Sequence, residues 1–251
     1  MLPDLLPALA MALVAAAAAW WAPTVIARLP EPEADPDPVP DMALADAHAE
    51  VLDSAEPAPQ EPAVPDVKVP YTELASRPRL RPRLALASAI GAGSIGYVLG
   101  PDPSLPLWCF VSVLGVTLSY VDWTTRLLPY RLVAPSYPIT MGLVLLAAVL
   151  SRDWDALLRA GVAWAVVYAA FTVMWLIYRR GIGYGDVRLC GILAMSLGWL
   201  GWSNVVIGMY AAFILGAVIG GVLVLVKLVD RRGYPFGPFL VVGTWLGVLF
   251  G

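Results

Sequence analysis

Eight stretches of mostly apolar residues, at about 5–27, 84–100, 105–121, 133–150, 156–178, 187–203, 205–229 and 237–251, constrain this chain more than any other feature. A helix needs roughly 20 such residues to cross the hydrocarbon of a bilayer, about 17 to 25 once tilt is allowed. Inside hydrocarbon the backbone must satisfy its own polar groups, and a run of that length does so as a helix. The pattern therefore predicts an all-α polytopic membrane protein with about eight transmembrane helices. Composition agrees: 59% of the 251 residues are hydrophobic, 14% are charged, and the mean hydropathy is +0.74, which excludes an ordinary water-soluble domain. The first stretch lacks the basic n-region of a signal peptide, because Asp4 is the only charge before Arg28, and it reads as a retained span.

Cations orient the bundle. With the N-terminus outside, the inside loops 28–83, 122–132, 179–188 and 227–236 hold fourteen of the sixteen Lys and Arg residues, and only Arg152 and Arg159 are left outside. This asymmetry predicts an even number of spans with both termini outside. Three regions result: a first helix at 1–27, a loop at 28–83 and a seven-helix membrane domain at 84–251. The loop holds 12 of the 19 acidic residues, is rich in Pro and Ala, and has no hydrophobic period, so it reads as disordered. The lone histidine, His48, lies there as a solvated side chain. Arg77, Arg79, Arg81 and Arg83 form a juxtamembrane cluster suited to anionic lipid, too small and Pro-interrupted for nucleic acid. Cys109 and Cys190 sit alone in apolar runs and read as inert thiols. Trp20, Trp21, Trp199 and Trp202 suit the membrane interfaces, and Gly216, Gly220 and Gly221 suit close helix packing.

Seven acids lie outside the loop. Asp4, Asp102, Asp153, Asp155 and Asp230 all have solvated settings at a terminus, a turn or a loop. Asp122 closes the third span in LSYVDWTTRLLPYRL, and Asp186 opens the sixth in GIGYGDVRLCG. The topology puts both on one side of the membrane at similar shallow depth. Two carboxyls that meet in a partly dehydrated place cannot both ionise freely, and they become an acid and a base side by side. Asp186 could instead simply cap the sixth helix, whereas Asp122 stands at the unfavourable C-terminal end of its own. Gly181, Gly183 and Gly185 would let an extended chain approach Asp186, so Gly183, Tyr184 and Gly185 are the candidate substrate contacts; a flexible linker is the plainer alternative. Arg126, Arg131 and Arg188 read as topology anchors. A proton-coupled transporter would place acids nearer the midplane and show internal repeats, and neither is present. A catalytically silent scaffold with an acidic docking arm stays open.

The motifs VDWTTRLLPYRL and GYGDVRL, with Pro235-Phe236-Gly237-Pro238 before the last span, resemble the type IV prepilin peptidases over roughly residues 85–251. The second motif is the GxGD signature of membrane aspartyl peptidases. The resemblance implies an aspartic endopeptidase of the bacterial cytoplasmic membrane with Asp122 and Asp186 as the catalytic pair. Its partners would be prepilin-like precursors and the lipid bilayer, and it would remove their leader peptides at the cytoplasmic face. Many such proteins also methylate the new N-terminus with S-adenosylmethionine and bind zinc through CxxC pairs in the first loop. That loop contains no cysteine here, so zinc is not expected, and S-adenosylmethionine enters only if methylation is retained.

Overall fold

The computed structural model describes residues 2–31, 69–177, 183–226 and 235–251, and among them it is helical throughout its regular structure. Most of the loop expected at 28–83, namely residues 32–68 with His48, lies outside the described residues, as do Arg179, Arg180, Gly181, Lys227, Asp230, Arg231 and Arg232.

The first span is α1 (Leu2–Ala19) continued by the short α2 (Ala22–Ile26). Pro23 lies in the first turn of α2; it has no N–H to continue the α1 ladder, and the chain breaks at Trp20-Trp21. Next come α3 (Tyr71–Ser76) and α4 (Leu80–Leu99), which ends on Gly100 at φ 63°. The chain continues through α5 (Leu105–Thr125), α6 (Tyr130–Ser151), α7 (Trp154–Ile177) and α8 (Tyr184–Leu200). Asp153 caps α7 by accepting the Ala156 amide at 2.8 Å, and Asp102 folds the turn before α5 by accepting the Ser104 amide at 2.7 Å. Then α9 (Trp202–Leu215) passes through a π-turn at Gly216–Gly220 into α10 (Gly221–Leu225), and α11 (Gly237–Phe250) follows.

Helices stand at all eight expected positions. Six of them are long and apolar enough to cross a membrane, whereas α8 and α11 have 17 and 14 residues. Large apolar side chains cover the outside: Leu6, Leu13, Leu86, Leu158 and Ile177 are each more than 60% exposed, an arrangement that suits lipid and not water.

The centre is α8. Every residue from Leu189 to Trp199 is buried, so a helix that is apolar on all faces has been enclosed on all faces. In lipid, helices associate by close packing of small residues rather than by escape from water. Gly198 meets Ala160 and Ala163 of α7, and Gly243 and Gly247 of α11 meet Gly208, Ala212 and the Asn204 carbonyl of α9. Gly221, expected in such a contact, meets nothing within 4 Å, while Gly216 and Gly220 are buried in the π-turn. Trp199 is buried in the core rather than placed at an interface; Trp20, Trp21 and Trp202 are exposed.

The described ends of the 28–83 loop are ordered, contrary to expectation. Glu31 accepts the amides of Tyr71 and Thr72 at 2.8 and 3.3 Å and the Thr72 hydroxyl at 3.1 Å, so it caps α3. Those bonds hold the exposed Glu31 carboxyl below its ordinary pKa, the Tyr71 amide contributing most. Tyr71 and Leu74 are buried against Ile26, Leu80, Leu84 and Val121, and Tyr120 donates its hydroxyl to the Leu74 carbonyl at 3.2 Å. Two apolar anchors three residues apart suffice to seat one and a half turns, too short a signal for a periodicity reading.

Arg159, one of the two cations on the wrong side of the charge pattern, has a structural task. Its Nε donates to the Gly198 carbonyl at 2.8 Å and its Nη2 to the Trp199 carbonyl at 2.7 Å, which terminates α8. Replacing Arg159 with Ala should lower stability by about 1.5–3 kcal/mol, read as a fall in the thermal unfolding midpoint in detergent, with Arg159→Lys losing less.

Candidate active site

Three helix ends converge. The C-terminal turn of α5 carries Asp122, the first turn of α8 carries Asp186, and α11 begins at Gly237. Asp122 is 4% exposed and Asp186 8% exposed, and the two carboxyls lie close enough for the charge of one to act on the other. The structure thus brings together two aspartates 64 residues apart in sequence.

Asp122 has a partner that its position in sequence concealed. Its Oδ2 accepts the Gly237 amide at 2.9 Å. The carboxyl at the unfavourable end of its own helix therefore sits at the favourable N-terminal end of another. Asp186 lies in the first turn of α8, where the helix dipole favours an anion. The Gly183 carbonyl accepts the amides of Asp186 and Val187 at 3.0 and 3.4 Å, so α8 begins at Tyr184 rather than at 187, taking Gly185 and Asp186 into the helix. Among the described residues, the buried Oδ1 of Asp186 has no hydrogen-bond partner. A buried acceptor without a donor is costly, and it marks a place for a water or a substrate donor.

Glycines enclose the pair. A Cβ on Gly237 would stand 2.7 Å from Asp122 Oδ2, one on Gly183 would stand 3.2 Å from Asp186 Oδ2, and one on Gly185 would stand 2.7 Å from the Leu128 Cβ. Gly185 therefore serves the approach of the α5–α6 connection, whose Leu128-Pro129 was visible only as a motif. Gly183 is exposed and extended at φ −71°, ψ 139°, a conformation open to strand-like pairing. Tyr184 is committed to a side-chain cluster: its ring is 4.9 Å from Trp175 and its hydroxyl 3.1 Å from that of Tyr168. Cys109 and Cys190 are free thiols, Cys190 fully buried in α8.

Fold and site together define a helical membrane protein with a paired-aspartate centre at one end of its bundle. Residues 105–225, which include both aspartates, match the model of the type IV leader peptidase family. A prepilin leader peptidase/N-methyltransferase of Escherichia coli K12 is 32% identical over 173 residues, covering 66% of this chain and 71% of that protein. The Escherichia coli leader peptidase HopD is 31% identical over 163 residues, 60% of this chain and 99% of HopD. The Aeromonas hydrophila prepilin leader peptidase/N-methyltransferase is 27% identical over 172 residues, 68% of this chain, and the match spans only 58% of that longer protein. No solved structure matches at the same stringency. The chain belongs to the type IV leader peptidase family.

The Gly185 contact gives a test independent of activity. Gly185→Ala should destabilise the protein by about 1–3 kcal/mol through overpacking. Adding Leu128→Ala should recover most of that loss, measured by thermal unfolding of the single and double variants.

Proposed function

We propose that this protein is a membrane aspartic endopeptidase that removes the leader from type IV prepilin-like precursors at the cytoplasmic face of the bacterial membrane. The observation that carries the reading is the juxtaposition of two buried carboxyls, one of which keeps an unpartnered oxygen among the described residues. A water between them would lose a proton to one aspartate as its oxygen attacks the scissile carbonyl. The other aspartate would donate a proton to the carbonyl oxygen, and the intermediate would then collapse as the first aspartate passes its proton to the leaving nitrogen, the carbon–nitrogen bond breaks and the second aspartate takes its proton back. The Gly237 amide holds Asp122 in place through this exchange, so one carboxyl of the pair is fixed before substrate arrives. The extended Gly183 offers backbone groups to an extended leader, and Tyr184 shapes the adjoining wall.

Leader cleavage is the activity common to the relatives' names: HopD, matched over 99% of its length, is named only a leader peptidase, whereas the Escherichia coli K12 protein, matched over 71%, and the Aeromonas protein, matched over 58%, are also named methyltransferases. S-adenosylmethionine would enter only with that second activity. Zinc is not part of the reading, since the first loop lacks the cysteines that would bind it.

Asp122→Asn and Asp186→Asn should each abolish processing of a co-expressed type IV prepilin, seen as loss of the shorter band on a gel, while the variants accumulate in the membrane as the wild type does. Residual processing by either variant would remove that aspartate from the mechanism.

A further inference from the structure

Beside the aspartate pair, a cavity of about 310 Å³ opens between α6 and α7, lined by Tyr130, Ala134, Tyr137, Trp164, Tyr168 and Arg188. Arg188 lies at its inner side, on α8. Its guanidinium carbon stands 4.6 Å from the ring centre of Tyr130 and 4.4 Å from that of Tyr184, so aromatic rings hold the cation. Ring contacts of this kind leave the N–H groups at the edge of the planar group available. Among the described residues, no carboxylate pairs with Arg188.

A second donor faces the same space. Tyr168 and Tyr184 share one hydroxyl contact at 3.1 Å, which uses one of their two protons and leaves the other phenol an O–H to give. The Tyr137 hydroxyl is already committed to the Arg188 carbonyl at 2.7 Å, which fixes the backbone beneath the guanidinium. The site therefore presents a fixed planar cation and a phenolic donor, with no carboxylate among its described lining residues to balance the charge.

Depth selects the ligand. Tyr130 opens α6 and is 61% exposed, whereas Trp164 and Tyr168 line the cavity from further within α7. The cavity thus reaches the surface at the start of α6, where Tyr130 and Arg188 stand near the end of a span, the level at which Tyr and Arg meet headgroups. We propose that this cavity binds the phosphate of an anionic phospholipid headgroup, with Arg188 as the ion-pairing residue and Tyr168 or Tyr184 donating the accompanying hydrogen bond.

The full chain is compared in nanodiscs of phosphatidylcholine alone and of phosphatidylcholine with phosphatidylglycerol, by unfolding midpoint and by the phosphatidylglycerol retained in native mass spectra. Phosphatidylglycerol should raise the wild-type midpoint. Arg188→Gln should lose that rise while matching wild type in phosphatidylcholine, and its lipid retention should fall about fivefold. Arg131→Gln, a change to an exposed cation on α6, should keep both. Ala134→Trp, which fills the cavity and keeps Arg188, should behave as Arg188→Gln and serves should that variant not fold. The proposal fails if Arg188→Gln keeps the full rise. It also fails if that variant is destabilised equally in both lipids, which would put a carboxylate of the protein itself against Arg188. It fails too if inorganic phosphate in detergent gives the same rise, which would make this a site for the free ion.

Discussion

The bond between the Asp122 carboxyl and the Gly237 amide ties together parts of the molecule 115 residues apart, and the centre depends on it. A carboxyl buried to 4% exposure needs donors, and the end of a helix supplies them without a counter-charge. A lysine or arginine in that place would satisfy Asp122 more strongly, but it would hold the carboxyl as a permanent ion pair. An amide at a helix terminus stabilises the carboxyl and leaves its proton free to move. Asp186 stands at the N-terminal end of α8, where the helix dipole likewise favours a carboxylate without a counter-charge. Each half of the pair thus meets the N-terminal end of a helix, whose position the fold fixes.

Holding the two helix ends together requires the helices behind them to fit closely, and small residues make that fit. Gly243 and Gly247 on α11 face Gly208 and Ala212 on α9, and Gly198 on α8 faces Ala160 and Ala163 on α7. These contacts set the depth and rotation at which Gly237 and Asp186 are presented. Packing in the middle of the membrane and chemistry at its edge are therefore one problem: a shift along the α9–α11 seam moves the amide that Asp122 accepts.

The sequence made the eight helical positions legible because each is a long apolar run, and it made Asp122 and Asp186 legible because a charge at the end of such a run stands out. It hid what depends on which helix ends meet. Gly237 was visible only as part of a turn, since nothing local shows that its N–H faces Asp122. Arg159 was visible only as an exception to the charge pattern, because its bonds go to carbonyls about 40 residues away. Residues 69–83 carried too little hydrophobic period to be read as ordered, yet Tyr71 and Leu74 find a buried seat made by α2, α4 and α5. The start of α8 was misplaced by three residues because the glycines before it read as loop, while the Gly183 carbonyl starts the helix by accepting the Asp186 and Val187 amides.

Glu31 and the first turn of α3 form a clasp across the segment between them. Once the two ends of a segment are pinned to each other, its length matters little to the rest of the molecule: doubling it adds only about 0.6 kcal/mol of closure entropy. The stretch between Glu31 and Tyr71 can therefore change in length like a cartridge, while the clasp keeps its two ends together.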